Sequence, residues 1–155
     1  MEKAFLEGES WWKKEPKTKH IRAKHAKEIY EDYWDDYFKF SFIRNPYDRV
    51  VSMLRFKHKV LPEGGDFQEF VQTITSRQPL SYFEWLGGEM DFVGRFENLE
   101  SDWEQLCKMV DCDLDLPHTN KSKRNENYRD YYSNDSRIFV DQVHEPDYEI
   151  FNYAF

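Results

Sequence analysis

Arg44 and Ser52 flank an Asn-Pro pair, and residues of these types at this spacing are suited to hold a phosphate. The apolar run Phe40-Ser41-Phe42-Ile43 predicts a strand that ends on Arg44, whose guanidinium offers a bidentate fork. Asn45 follows as a good helix N-cap, and Pro46 occupies the first helical position, where no backbone donor is needed. Free N–H groups and the positive end of the helix favour an anion at such a junction. Ser52, on the second turn, adds a hydroxyl donor. These residues predict a phosphate site on α/β architecture.

The run from Ile43 to Ser52, I-R-N-P-Y-D-R-V-V-S, closely resembles the 3′-phosphate-binding motif of sulfotransferases that use 3′-phosphoadenosine 5′-phosphosulfate (PAPS). It is most similar to the carbohydrate branch, which includes heparan 2-O- and chondroitin sulfotransferases and their bacterial relatives. Two further segments follow in the order that branch has them: Phe92 to Leu99, F-V-G-R-F-E-N-L, and Leu116 to Ser122, L-P-H-T-N-K-S. The resemblance covers about residues 19 to 155. It implies a P-loop-like sulfotransferase fold with a small parallel sheet flanked by helices. It also implies PAPS as donor, a carbohydrate or other hydroxyl as acceptor, and no metal. Arg44 and Ser52 would then hold the 3′-phosphate, Arg49 would brace the helix, and Lys121 and Ser122 would close over the nucleotide.

Sulfuryl transfer, like phosphoryl transfer, needs in-line alignment, stabilised charge and a base for the acceptor hydroxyl. Histidine suits the last role because it titrates near neutrality. Among His20, His25, His58, His118 and His144, the resemblance selects His25, which lies in a Lys24-His25-Ala26 segment upstream of the 3′-phosphate strand. His20 is the alternative. His58 is explained by a helix C-terminus, and His118 belongs to the nucleotide loop.

One family feature has no counterpart. The resembling enzymes wrap the 5′-phosphosulfate in a loop similar to P-K-T-G-G-T-S, but Pro16-Lys17-Thr18 is followed by Lys19-His20-Ile21 without glycine. A loop that cradles phosphate needs backbone the ligand can approach closely. The expectation is therefore an N-terminally truncated domain. Two other functions stay open: a non-catalytic remnant that binds 3′-phosphonucleotides, and a protein-interaction module using the Trp and Tyr surface.

The elements that must position these groups follow from periodicity. Helices are expected over Ala23 to Tyr33, Pro46 to about Val60, Phe67 to Ile74, around Tyr82 to Leu86, and Glu100 to Val110. A last helix from Ser133 or Asn134 is expected to end near His144, ahead of Pro146. Strands are expected at Phe38 to Ile43 and Met90 to Phe96, with Arg95 and Glu97 pairing across a strand end. At 155 residues the chain is read as one domain, 1–155, with 1–19 as a basic arm or rim carrying Lys13, Lys14, Lys17 and Lys19. Aromatics are 18% of the chain and must supply much of the core. A net charge of −8 excludes general nucleic-acid binding. Cys107 and Cys112 read as two buried thiols rather than a disulfide or a metal site. No apolar run reaches the ~18 residues of a membrane span, so a cytoplasmic chain is expected, with peripheral membrane association open. Eukaryotic members of the resembling family are Golgi membrane proteins.

Overall fold

A computed structural model describes residues 21–56, 66–77, 81–116 and 127–155. Among the described residues the architecture is α/β: a two-stranded parallel sheet flanked by helices. In chain order the elements are α1 (Ala23–Ile29), β1 (Phe40–Ile43), α2 (Pro46–Phe56), α3 (Phe67–Arg77), α4 (Tyr82–Leu86), β2 (Phe92–Arg95), α5 (Leu99–Met109) and α6 (Asn134–Phe151). Short 3₁₀ turns lie at Glu31–Tyr33, Phe96–Asn98 and Tyr128–Tyr131.

The strands pair in register, Phe40 with Phe92 through Ile43 with Arg95. Both are shorter than their apolar runs. The Asp91 carboxylate accepts the Lys39 N–H at 2.7 Å, so a side chain replaces the ladder bond that would have extended β1 backward. Gly94 lies opposite Phe42, and a Cβ there would stand 2.7 Å from Cδ1 of that ring. Glycine therefore permits the ring to lie flat against β2.

Helix α2 turns Tyr47, Val50 and Leu54 inward, against Phe70, Val71 and Ile74 of α3 and Val140 of α6. Tyr47 sits at the centre of an aromatic cage. It stacks on Tyr148 with centroids 5.6 Å apart and meets Tyr132 and Phe155 edge-on at 5.5 and 4.7 Å. Its hydroxyl donates to Asp141, and Tyr132 donates to its carbonyl at 2.9 Å. The expected aromatic core is thus concentrated where α2, α3 and α6 meet.

Two helices depart from expectation. The first ends at Ile29, four residues early, and Glu31–Tyr33 continue as a 3₁₀ turn. Its expected inward face is not covered at two positions: Ile29 is 55% and Tyr33 48% exposed. In the other direction, α6 runs through Pro146 to Phe151 and ends at Asn152, whose φ of 52° is left-handed. Proline removes one helical bond, that to the Gln142 carbonyl, but Gln142 lies on the exposed face. His144 and Asp147, one residue or two from the proline, are fully buried, and this anchorage outweighs the local defect.

Candidate nucleotide site

The carboxyl end of β1 delivers Arg44, and Asn45 caps α2 as its type suggests. Its Oδ1 accepts the N–H groups of Tyr47 at 3.0 Å and Asp48 at 3.4 Å. Its Nδ2 donates to the Ala154 carbonyl at 2.9 Å, which ties the C-terminal segment to the junction.

The backbone donors expected to receive an anion are engaged within the fold. Asn45 N–H donates to Glu97 Oε1 at 2.5 Å, and Arg44 N–H donates to the Tyr82 hydroxyl at 3.1 Å. Glu97 also accepts from the Tyr153 hydroxyl at 3.1 Å. A carboxylate from the turn after β2 thus takes the place where a ligand oxygen was expected. The main-chain donors of Arg44 and Asn45 are thus already used within the fold.

The Arg44 side chain is oriented by Asp48, one turn into α2. Nε donates to Asp48 Oδ2 at 2.5 Å, Nη2 contacts the same oxygen, and the guanidinium lies 4.3 Å above the Phe96 ring. The side chain is 17% exposed, so the pair is shielded yet reachable. Two of the five guanidinium N–H donors suffice for Asp48, which leaves donors in a fixed orientation. Ser52 is half-buried on the second turn of α2. Arg49 does more than brace its own helix: its guanidinium stacks 4.6 Å from the centroid of the Tyr82 ring.

Tyr82 is held from behind. Asp147, fully buried on α6, accepts from Ser81 Oγ at 3.0 Å, Tyr82 N–H at 2.9 Å and Phe83 N–H at 3.0 Å, and so caps α4 in place of a local residue. His144 Nδ1 lies 2.7 Å from the same carboxylate. Burial opposes ionisation of Asp147, but the bonds from His144, Phe83 and Tyr82 outweigh it and hold the carboxyl below its ordinary value. Burial pushes the Tyr82 and Tyr153 phenols up, so both stay protonated at neutral pH.

Arg95 and Glu97, expected to pair, do not bond each other. Arg95 donates to the Phe151 carbonyl and stacks 4.8 Å from the centroid of Tyr153, while Glu97 bonds the Tyr153 hydroxyl. They converge on one tyrosine from different sides.

Beside this junction opens a cleft of about 1110 Å³, walled by Ala23 and Ala26 of α1, Trp34, Ser41 of β1, and Arg49 and Tyr82. Arg49 and Tyr82 therefore link the cleft to the Arg44 junction. His25 sits on α1 but on its exposed side, away from the cleft-lining alanines. His20, Lys121, Ser122 and His118 lie outside the described residues. Sequence patterns missed Tyr82, Glu97 and Asp147, whose roles come from distant elements. Asp48, four residues beyond Arg44, was open to detection as a helical i,i+4 partner. Among the described residues no group of His, Cys, Asp or Glu could hold a metal ion, and no helix is long and apolar enough to cross a membrane.

A strand thus delivers a carboxylate-oriented arginine into a capped helix, beside an open cleft. The model of the sulfotransferase family matches residues 2–154, and the chain belongs to that family. No curated protein and no solved structure matches it.

Proposed function

We propose that the chain transfers a sulfuryl group from PAPS to a hydroxyl of a carbohydrate acceptor. The observation that carries this reading is the Arg44 guanidinium, shielded, aimed by Asp48 and placed at the end of β1 in a sulfotransferase-family chain. Arg44 and Ser52 grip the 3′-phosphate, and Lys121 and Ser122 complete the nucleotide site. PAPS supplies the sulfuryl group and a bisphosphate leaving group.

His25 accepts the acceptor's proton as the new O–S bond forms and the S–O bond to the 5′-phosphate breaks. Of the two histidines among the described residues, His25 is exposed to an incoming hydroxyl, whereas His144 is fully buried against Asp147. The acceptor hydroxyl approaches His25 from the exposed side of α1, not through the cleft that Ala23 and Ala26 line.

Calorimetric titration with adenosine 3′,5′-bisphosphate tests the reading. Arg44→Ala removes charge-assisted hydrogen bonds to the phosphate, so affinity falls by on the order of a hundredfold, about 3 kcal/mol. A folded wild-type chain that binds no bisphosphate, or an Arg44→Ala variant that binds as well as wild type, overturns it.

A further inference from the structure

Helix α5 ends in a geometry that brings two cysteines together. Val110 is the C-cap, Asp111 adopts the left-handed conformation at φ 52°, and Cys112 N–H donates to the Cys107 carbonyl at 2.9 Å. This six-to-one closure is a Schellman motif, in which the side chains of the third-last helical residue and the second residue beyond the cap meet. Apolar residues usually fill both positions. Here both are cysteines, and both are free thiols.

Their surroundings differ. Cys107 is 8% exposed and its thiol points toward the Leu114 carbonyl at 3.9 Å, which also accepts the Trp103 indole N–H at 2.7 Å. Cys112 is half-buried and within reach of solvent. A hydrogen bond with the Cys107 sulfur, then burial and the charges of Cys107, Asp113 and Asp111, push the Cys112 thiol up.

We propose that Cys107 and Cys112 form a reversible intrachain disulfide by exchange with a low-molecular-weight disulfide such as oxidised glutathione. The accessible Cys112 thiol gives up its proton and attacks one sulfur of the small disulfide, releasing one glutathione thiolate. Cys107, already seated against Cys112, then loses its proton and attacks the Cys112 sulfur, releasing the second. Two protein thiols are oxidised, and one small disulfide is reduced to two thiols. The scarcity of Cys112 thiolate makes the first attack slow. The product fastens the last turn of α5 to the chain that leaves it. Neither cysteine belongs to the nucleotide site, so this modification stands apart from sulfuryl transfer.

Peptide mapping tests it directly, because trypsin cuts after Lys108, between the two cysteines. After incubation of the full chain with oxidised glutathione, peptides 96–108 and 109–121 should stay joined without reductant. Their summed mass should be short by two hydrogens, and dithiothreitol should separate them. Cys107→Ser should instead keep glutathione on Cys112, since no second thiol displaces it. Wild-type chain that retains a stable glutathione adduct on Cys112, or keeps both thiols free while Cys107→Ser is modified, overturns the proposal. So does a folded chain in which neither form reacts.

Discussion

The regions around α6 and around α1 draw on the same aromatic-rich composition and use it differently. At α6, rings close around Tyr47, and polar groups reach partners far along the chain: Asn45 with Ala154, Glu97 with Tyr153, Asp147 with Ser81. Around α1, Ile29, Tyr33, Tyr37 and Phe38 are all substantially exposed, and the cleft opens beside them. The contrast separates two demands. On the proposed reading, the nucleotide needs a donor whose position does not vary, and Arg44, held by Asp48, sits on the closed side. Acceptor recognition, on the same reading, falls to the open side, where His25 stands on the exposed face of α1. Substitutions should therefore be costly on one side and nearly silent on the other.

The largest effect is expected at Asp147. Asp147→Ala strands the buried Ser81 hydroxyl and His144 and the half-buried N–H groups of Tyr82 and Phe83, and should cost about 3–5 kcal/mol in urea unfolding at neutral pH. The acid limb has a definite sign. The folded carboxyl titrates below its ordinary value of 3.8, so its contribution is present above that value and lost as pH falls through the lower folded one. Asp147→Asn should flatten that loss; an unchanged acid limb would break the assignment.

Gly94→Ala comes next, because the new methyl meets the Phe42 ring inside the β1–β2 pair, at about 1–3 kcal/mol. Thermal melting with a tolerated methyl would show that the ring is free to move. Tyr82→Phe removes the acceptor for Arg44 N–H and should cost about 1 kcal/mol in urea unfolding. At the small end, Ile29→Ser on the open side should stay within about 0.5 kcal/mol of wild type. A loss several times larger would mean that α1 is covered in solution, and the comparison would fail.

The legible parts of the fold were those set by neighbours in sequence. Asn45 and Pro46 marked the start of α2, and the spacing of Val50, Val51 and Leu54 gave its buried face. The short helix at Tyr82 and both strands also appeared within two residues of expectation at their ends. What failed depended on partners far along the chain. Pro146 argues locally for a helix end, and only the bonds from Asp147 to residues more than sixty positions upstream reveal why α6 continues. At the candidate site, sequence type and place put Arg44 at the end of β1, where it lies, but the Glu97 carboxylate that occupies the Asn45 N–H comes from 52 residues away. Local pattern placed the arginine at the strand end; it could not show which backbone donors the fold would consume.

The in-register pairing of β1 with β2 also bears on how the chain reaches its native state. Lys39 and Asp91, whose bond starts the pairing, are 52 residues apart, and parallel strands cannot be joined by a hairpin. The chain must close that large loop, with α2, α3 and α4 inside it, before any rung of the ladder repays the lost entropy. Helices α2 and α5 can form early, but the end of β1 is assembled only when this closure succeeds. Refolding should thus be slower than for a helical bundle of similar length, and the last structure to mature is the one that holds Arg44.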